Sequence, residues 1–179
     1  MAASEPAAEA RTVFILGGAR SGKSRLAESW ASARAGQHHY IATAEAGDAE
    51  MAARIARHRS MRGSFWQTHE APFALVDVLA DLSQGEAPVV LVDCLTLWLS
   101  NLLLADRDIA AEGRRLAAFV ETCTYPLFIV SNEVGQGIVP DNALARRFRD
   151  EAGFLNQAIA AVSGSVFFVA AGLPLKLKG

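Results

Sequence analysis

The stretch VFILGGARSGKS, from Val13 to Ser24, joins four apolar residues to the pattern GxxxxGKS. The apolar residues predict a buried strand, and residues 25–33 after the pattern predict a helix. The glycines let the main chain turn closely around an anion, and the positive end of the helix faces the same anion. The stretch therefore predicts a P-loop that binds ATP or GTP rather than a glycine-rich turn that matches by chance. The predicted phosphate-binding residues are Gly17, Gly18, Ala19, Arg20, Ser21, Gly22, Lys23 and Ser24, with Lys23 as the catalytic cation and the Ser24 hydroxyl as a ligand of Mg²⁺.

Length and composition predict one globular nucleotide-binding domain. The 179 residues are 51% hydrophobic and 20% charged, which is typical of a protein with one substantial core. The net charge of −2 gives no general attraction to nucleic acid or to an anionic membrane, so neither is an expected partner. Cys94 and Cys123 are the two cysteines, too few for a disulfide framework, and this favours a reducing cytoplasm.

Two segments raise the question of targeting or membrane insertion. Residues 1–11 are rich in alanine and glutamate and lack the apolar centre of a signal peptide, so we expect a disordered leader before a domain at 12–179. Residues 87–104 are nearly all apolar over a length close to that of a membrane span. Because Pro88 begins this run and Asp93 interrupts it, a buried strand followed by a buried helix explains it better.

Apolar strands alternate with helical segments along the chain. This order predicts an α/β fold with a mostly parallel, P-loop NTPase-like sheet covered by helices on both faces. Predicted strands lie near residues 13–16, 39–42, 65–70, 89–92, 127–130 and 166–170, and predicted helices near 25–33, 49–59, 73–82, 95–104, 112–121 and 142–162, before a tail that contains Pro174. Ligands of such sheets bind at the carboxyl ends of the strands. We therefore expect the P-loop, residues 43–45, Asp93 and residues 132–133 to converge on one crevice.

Asp93 follows the apolar strand at 89–92, where enzymes with a P-loop place the acid that holds Mg²⁺. Aspartate is also a favoured N-cap, and a predicted helix begins at Leu95. Both interpretations remain open from the sequence, and they are compatible with each other.

The segment RIARHRSMR, residues 54–62, places His58 among four arginines. Arginine side chains bind phosphates bidentately, so such a cluster suits a site that handles a triphosphate. Positive neighbours favour the neutral form of the imidazole, which leaves it available as a nucleophile. The alternative is a solvated basic face of a helix, and the sequence leaves both open.

The combined motifs resemble the family of bifunctional adenosylcobinamide kinases and adenosylcobinamide-phosphate guanylyltransferases. The resemblance spans the chain from about Thr12 to its end. The P-loop alone would not be specific enough to establish it, because many enzymes share this loop. It rests on GGARSGKSRLAE, YIATAEAGDAEMAARIARHR, WxTxE at residues 66–70, VDCLTLWLSNLL, SNEVGQGIVPDNALARRFRDEAGFLNQAIA and GLPLKLKG. The order of these motifs is far more specific than any one of them.

This resemblance implies two reactions in cobalamin biosynthesis. The enzyme would phosphorylate adenosylcobinamide with ATP or GTP and then transfer GMP from GTP to adenosylcobinamide phosphate, with Mg²⁺ as cofactor. The GMP would pass through a histidine that matches His58, and the family architecture implies a homotrimer. By the same match, the GTP-binding residues would include Ala42, Thr43, Ala44, Arg59, Ser60, Met61, Arg62, Glu70 and Asp93, and the metal ligands would be Ser24 and Asp93.

Two other functions compete with this one. A simpler P-loop kinase of a small metabolite would use the same loop with a structural His58, and a nucleotide-binding regulatory module would act by docking to a partner. The loop at residues 132–142 is a candidate for corrinoid contacts, for a subunit interface, or for a purely structural turn.

Overall fold

The computed structural model describes residues 10–45 and 63–179, and these residues form one seven-stranded sheet with helices on both faces. The strands are β1 (Thr12–Gly17), β2 (Gln37–Ala42), β3 (Gln67–Glu70), β4 (Pro88–Asp93), β5 (Leu127–Asn132), β6 (Ser165–Ala170) and β7 (Leu173–Lys178). The helices of this part of the chain are α1 (Lys23–Ser32), α2 (Leu75–Leu82), α3 (Leu95–Leu104), α4 (Ile109–Thr122) and α5 (Ala143–Val162). The order across the sheet is β3-β2-β4-β5-β1-β6-β7.

The central strands are buried on both sides because helices cover each face of the sheet. Side chains of alternate residues enter two separate cores. One core lies on the α1 side and includes Trp30, Phe128 and Phe167. The other lies on the side of the remaining helices and includes Phe14 and Trp98. This arrangement explains why β1, β4 and β5 read as continuous apolar runs, and it confirms the predicted parallel α/β fold.

The C-terminal tail is a correction to the sequence prediction. We expected β6 to be the last strand, but residues 173–178 form β7, which pairs antiparallel with β6 at the edge of the sheet. Pro174 lies in this strand, and proline donates no backbone hydrogen bond. An edge strand tolerates this loss because one of its sides has no neighbour in the sheet.

The apolar run at 87–104 divides as predicted into β4 and α3. Among the described residues, no helix is both long enough and apolar enough to cross a membrane. Two predicted segments, the helix at 49–59 and most of the leader at 1–11, lie outside the residues that the structure describes.

Candidate functional site

The P-loop is a tight turn between β1 and α1. Gly22 and Arg20 both adopt left-handed backbone conformations, with φ of 93° and 57°. The Lys23 side chain turns back over the loop, where its Nζ donates a hydrogen bond to the Gly18 carbonyl at 3.1 Å. Helix α1 begins at Lys23 with no acidic residue in its first turn, so its positive end is not neutralised by its own side chains. The loop thus has the shape and the charge of an anion-binding turn.

The P-loop also packs against β6 and against the turn that follows β6. The Gly172 amide donates to the Ser21 carbonyl at 2.8 Å. The Ser21 hydroxyl is buried and has no hydrogen-bond partner among the described residues. A buried hydroxyl without a partner is costly, and a phosphate oxygen in the loop is the class of acceptor that would satisfy it.

Gly17 allows this close approach, and a side chain there is expected to disrupt it. A Cβ on Gly17 would lie 2.5 Å from the Val169 carbonyl oxygen and 2.6 Å from the Ser21 hydroxyl, whereas a Cβ on Gly18 would meet nothing within 4 Å. Gly17→Ala should therefore lower the free energy of unfolding by about 1–3 kcal/mol, as overpacking does elsewhere. Urea titration of both variants checks this, with Gly18→Ala as the matched control; equal stability of the two would contradict the packing.

The strand register brings several predicted nucleotide-binding residues into one row. Ala42 at the end of β2 lies directly between Glu70 of β3 and Asp93 of β4. On the other side of β4, the ends of β5 and β1 place Asn132 beside Gly17. The predicted polar segments after the strands therefore share one edge of the sheet, the edge that carries the P-loop.

Asp93 is held by a neighbouring strand and does not cap a helix. The Tyr40 hydroxyl donates to Asp93 Oδ2 at 2.8 Å. The N-cap of α3 is Cys94, and its side chain makes no capping hydrogen bond. The interpretation of Asp93 as a helix cap is thus wrong. The other interpretation, that this half-buried carboxylate holds Mg²⁺ at the edge of the sheet, remains open.

Thr43 links the ends of β2 and β4 through hydrogen bonds. Its side chain is fully buried, and its hydroxyl donates to the Cys94 carbonyl at 2.7 Å and accepts from the Cys94 amide at 2.9 Å. The Asn101 side chain of α3 donates to the Thr43 carbonyl at 2.8 Å. The Thr43 hydroxyl is therefore occupied within the protein, so the residue shapes the site rather than presenting its side chain to a ligand.

The end of β5 is held in a similar way. The Thr96 hydroxyl accepts from the Asn132 amide at 2.7 Å and from the Asn132 side chain at 3.1 Å. On α5, Asn156 donates to the Asn132 carbonyl at 3.3 Å. These contacts fix the start of the loop at 132–142, from which the Glu133 amide donates to the Gly17 carbonyl at 3.1 Å.

Three of the four histidines of the chain are among the residues that the structure describes. His39 Nδ1 and His69 Nε2 lie 3.0 Å apart, and His38 Nε2 lies 3.2 Å from the Ala31 carbonyl oxygen. Burial, with the neighbouring imidazoles of His69 and His38, lowers the pKa of His39.

Burial, with the Asp93 carboxylate beside it, raises the pKa of the Cys94 thiol to about 11. The thiol is therefore protonated at neutral pH and is a poor nucleophile.

Five of the predicted site residues, His58, Arg59, Ser60, Met61 and Arg62, lie outside the residues that the structure describes. The described chain resumes at Gly63, before β3. The P-loop, residues 42–44, Glu70 and Asp93 are the part of the prediction that the structure places.

The sequence matches the family described as cobinamide kinase / cobinamide phosphate guanyltransferase over residues 13–177. The chain belongs to this family. A bifunctional adenosylcobalamin biosynthesis protein, CobP of Pseudomonas aeruginosa, is 52% identical over 169 residues, which cover 93% of this chain and 96% of the relative. The bifunctional adenosylcobalamin biosynthesis protein CobU of Escherichia coli is 41% identical over 182 residues, with 93% and 99% covered.

A solved structure of an ATPase from a bacterial type III secretion system supports the fold. It matches with a TM-score of 0.52 at 11% identity, and the match covers 93% of this chain. The chain spans 57% of the length of that ATPase, and at this identity the likeness concerns the fold alone. The resemblance noted in the sequence is thus confirmed at the level of family, fold and enzyme class.

The residues of this cobinamide kinase / guanyltransferase family member fit a magnesium ion. Ser24 and Asp93 offer a hydroxyl and a carboxylate, the oxygen donors that Mg²⁺ prefers. No group of three or more histidine, cysteine or acidic side chains suited to a metal occurs in the part of the chain that the structure describes. Mg²⁺ keeps several waters and binds through one or two side chains together with substrate phosphates, so a hydroxyl and a carboxylate would be enough protein ligands for it.

Sequence reasoning missed two residues whose side chains form hydrogen bonds to predicted site residues. Tyr40 and Asn101 had no assigned role, yet they contact Asp93 and the main chain of Thr43. Strand alternation was the available signal for Tyr40, because it lies two residues before Ala42 and so shares the face of β2 that Ala42 presents. No comparable signal pointed to Asn101, whose partners lie 29 and 58 residues away in sequence.

Proposed function

We propose that this protein phosphorylates adenosylcobinamide with ATP or GTP and then transfers GMP from GTP to adenosylcobinamide phosphate. The observation that carries the proposal is family membership over residues 13–177 together with a formed P-loop at the edge of the sheet. One site can serve both steps, because both consume a nucleoside triphosphate and both act at the same end of the substrate. The products of the second step are adenosyl-GDP-cobinamide and pyrophosphate.

The proposed guanylyl transfer runs through His58. The imidazole nitrogen attacks the α-phosphorus of GTP, so that a nitrogen–phosphorus bond forms, the bond to pyrophosphate breaks, and the imidazole loses its proton. An oxygen of adenosylcobinamide phosphate then attacks the same phosphorus and releases the imidazole, which regains a proton. The contacts of His38, His39 and His69 within the sheet support His58 as the acceptor, since those three imidazoles are engaged by the protein.

The P-loop and Asp93 supply binding and charge in both steps. Lys23 and the main chain of the loop would hold the β- and γ-phosphates, and Ser24 and Asp93 would hold Mg²⁺. When bound, the metal neutralises the charge that develops on the phosphate oxygens. Ala42 and Glu70 lie in one row with Asp93 at this edge of the sheet, and Ala44 follows two residues after the end of β2, which supports their assignment to the nucleotide.

A homotrimer in the cytoplasm is the proposed setting. Both cysteines are free and buried, which supports a reducing compartment. Large apolar side chains are exposed along the loop after β5 and the following helix, as expected for a contact surface. They are Ile138, Val139, Leu144 and Phe154. Light scattering of the purified protein tests the assembly, and a monomer at micromolar concentration would contradict it.

One experiment separates the proposal from its two rivals. The pure protein is incubated with Mg²⁺ and GTP labelled at the α-phosphorus, and retained label is measured after denaturation. The proposed enzyme retains label, whereas a simpler kinase and a regulatory module retain none. The same protein is then given adenosylcobinamide and ATP, because the kinase phosphorylates an alcohol and the module does not.

Asp93→Asn is expected to weaken the metal dependence of both reactions. The amide keeps the shape of the side chain but loses the charge that would face Mg²⁺. We expect the half-saturating Mg²⁺ concentration to rise on the order of tenfold, with partial recovery of the rate at high Mg²⁺. Initial rates over a magnesium titration measure this shift. Asp77→Asn, at an exposed position on α2, is the matched control, and identical titrations for the two variants would remove Asp93 from the metal site.

A further inference from the structure

Tyr40 reaches Asp93 from the adjacent strand. Strand β2 pairs with β4 so that Ala42 lies opposite Asp93, and Tyr40 lies opposite Leu91. The Tyr40 side chain therefore shares the face of the sheet on which Asp93 lies and reaches two residues toward the carboxyl end. Its hydroxyl donates to Asp93 Oδ2 at 2.8 Å, a charge-assisted hydrogen bond at the edge that carries the P-loop.

The ring of Tyr40 is held firmly enough to fix the position of that hydroxyl. It is 4% exposed and belongs to the core on the α1 side. Trp66 packs edge-on against it, with ring centroids 6.0 Å apart and an interplanar angle of 90°. Trp66 in turn packs against His38 at 5.2 Å. This packing restricts the rotation of the ring, so the hydroxyl loses little additional conformational entropy when it bonds to Asp93.

We propose that Tyr40 is a positioning residue for the metal-binding carboxylate, and this proposal rests on the proposed metal role of Asp93. Its hydrogen bond occupies Oδ2 and sets the rotation of the carboxylate, which leaves Oδ1 for a cation or its bound water. Residues that orient a metal-binding carboxylate change metal affinity by about 10–100-fold when they are removed. Tyr40 itself touches neither metal nor substrate in this scheme.

The test compares the two tyrosines of the chain. Tyr40→Phe removes the hydroxyl and keeps the ring against Trp66. Tyr125→Phe makes the same chemical change at another buried site, where the hydroxyl donates to the Leu79 carbonyl at 2.8 Å, away from the P-loop edge. Each variant loses one hydrogen bond of a buried tyrosine, so a fall in Mn²⁺ affinity that follows from lost stability alone should appear in both.

Metal binding is measured directly, without turnover. The protein is loaded with GDP, Mn²⁺ is added as a paramagnetic substitute for Mg²⁺, and free Mn²⁺ is followed by its electron paramagnetic resonance signal. We expect the dissociation constant for Mn²⁺ to rise on the order of tenfold in Tyr40→Phe and to stay unchanged in Tyr125→Phe. Binding of GDP without metal should be unchanged in both variants. An unchanged constant in Tyr40→Phe, or an equal rise in both variants, overturns the proposal.

Asp93→Asn separates failure of this proposal from failure of the proposed function. If Asp93→Asn weakens Mn²⁺ binding and Tyr40→Phe does not, Asp93 keeps its role and Tyr40 loses the one proposed. If Asp93→Asn binds Mn²⁺ normally, the metal role of Asp93 and the positioning role of Tyr40 both fail. If both single variants are weakened and the double variant is no weaker than Asp93→Asn, the two residues act as one unit, as proposed.

A second measurement covers the case in which Tyr40→Phe folds poorly. Wild-type protein labelled with 3-fluorotyrosine gives two ¹⁹F resonances, and Tyr125→Phe identifies the one that belongs to Tyr40. Adding Mg²⁺ to the GDP-loaded protein should shift the Tyr40 resonance and leave that of Tyr125 in place. A Tyr40 resonance that does not respond to the metal overturns the proposal.

Discussion

His58→Asn is expected to abolish guanylyl transfer, by a factor on the order of 10³ or more, and to leave phosphorylation of adenosylcobinamide largely intact. Asparagine has a size close to that of histidine but no nitrogen lone pair able to attack phosphorus. The kinase step needs the P-loop and a metal but no histidine intermediate. Production of adenosyl-GDP-cobinamide and of adenosylcobinamide phosphate, each followed separately, measures this split.

The chemistry of the adduct gives this prediction a second readout. Wild-type protein labelled from α-labelled GTP should keep its label in alkali and lose it in acid, because a nitrogen–phosphorus bond is broken by acid and a serine or threonine ester is not broken in the same way. His58→Asn should carry no label. A labelled peptide that contains His38, His39 or His69 in place of His58 would contradict the assignment.

A matched histidine variant shows whether the loss is specific. His69 is partly exposed and lies near the same edge of the sheet, in β3, where it pairs with His39. His69→Gln should retain both the label and guanylyl transfer at a rate close to that of the wild type. Loss of label in His69→Gln together with normal labelling of His58→Asn would reverse the roles of the two residues, and the arginine-rich segment at 54–62 would then be interpreted as a solvated basic face.

Sequence reasoning predicted the parts of this protein that are governed by local rules. Runs of apolar residues such as 89–92 and 127–130 identified buried strands, and the GxxxxGKS pattern identified the P-loop, because both depend on neighbouring residues only. The parallel sheet followed from the alternation of strands and helices. These features required no knowledge of which strands pair.

The remaining features depend on contacts between distant residues. The strand at 173–178 was missed because Pro174 disfavours a strand locally, and only its pairing with β6 at the sheet edge makes it stable. The bond between Tyr40 and Asp93 joins residues 53 positions apart and depends on the neighbouring positions of β2 and β4. The helix-cap interpretation of Asp93 was wrong for a different, local reason: α3 begins one residue later than a cap at Asp93 would require.

Lys23→Ala is expected to reduce both activities by at least about a hundredfold, the scale seen when one preorganised positive or hydrogen-bonding group is removed from a transition state. In both proposed reactions this side chain is the cation that the P-loop places at the phosphates, so its loss should slow both of them. Parallel assays of adenosylcobinamide phosphorylation and of GMP transfer measure the effect. A variant that retains either reaction at the wild-type rate would contradict the P-loop assignment for that reaction.

The burial of Lys23 requires a second variant to interpret the result. The side chain is 7% exposed and its Nζ donates to the Gly18 carbonyl, so alanine removes packing as well as charge. Lys23→Met keeps an unbranched apolar stem of similar length and removes only the amino group, whereas Lys176→Ala removes an exposed lysine from the edge strand β7. Thermal unfolding should show a larger loss of stability for Lys23→Ala than for Lys23→Met, because both variants lose the hydrogen bond to the Gly18 carbonyl but only alanine also leaves a cavity. Both Lys23 variants should lose the two reactions to the same extent, and Lys176→Ala should retain them. That result would show that the activity depends on the positive charge of Lys23 at the phosphates and not on its packing in the loop.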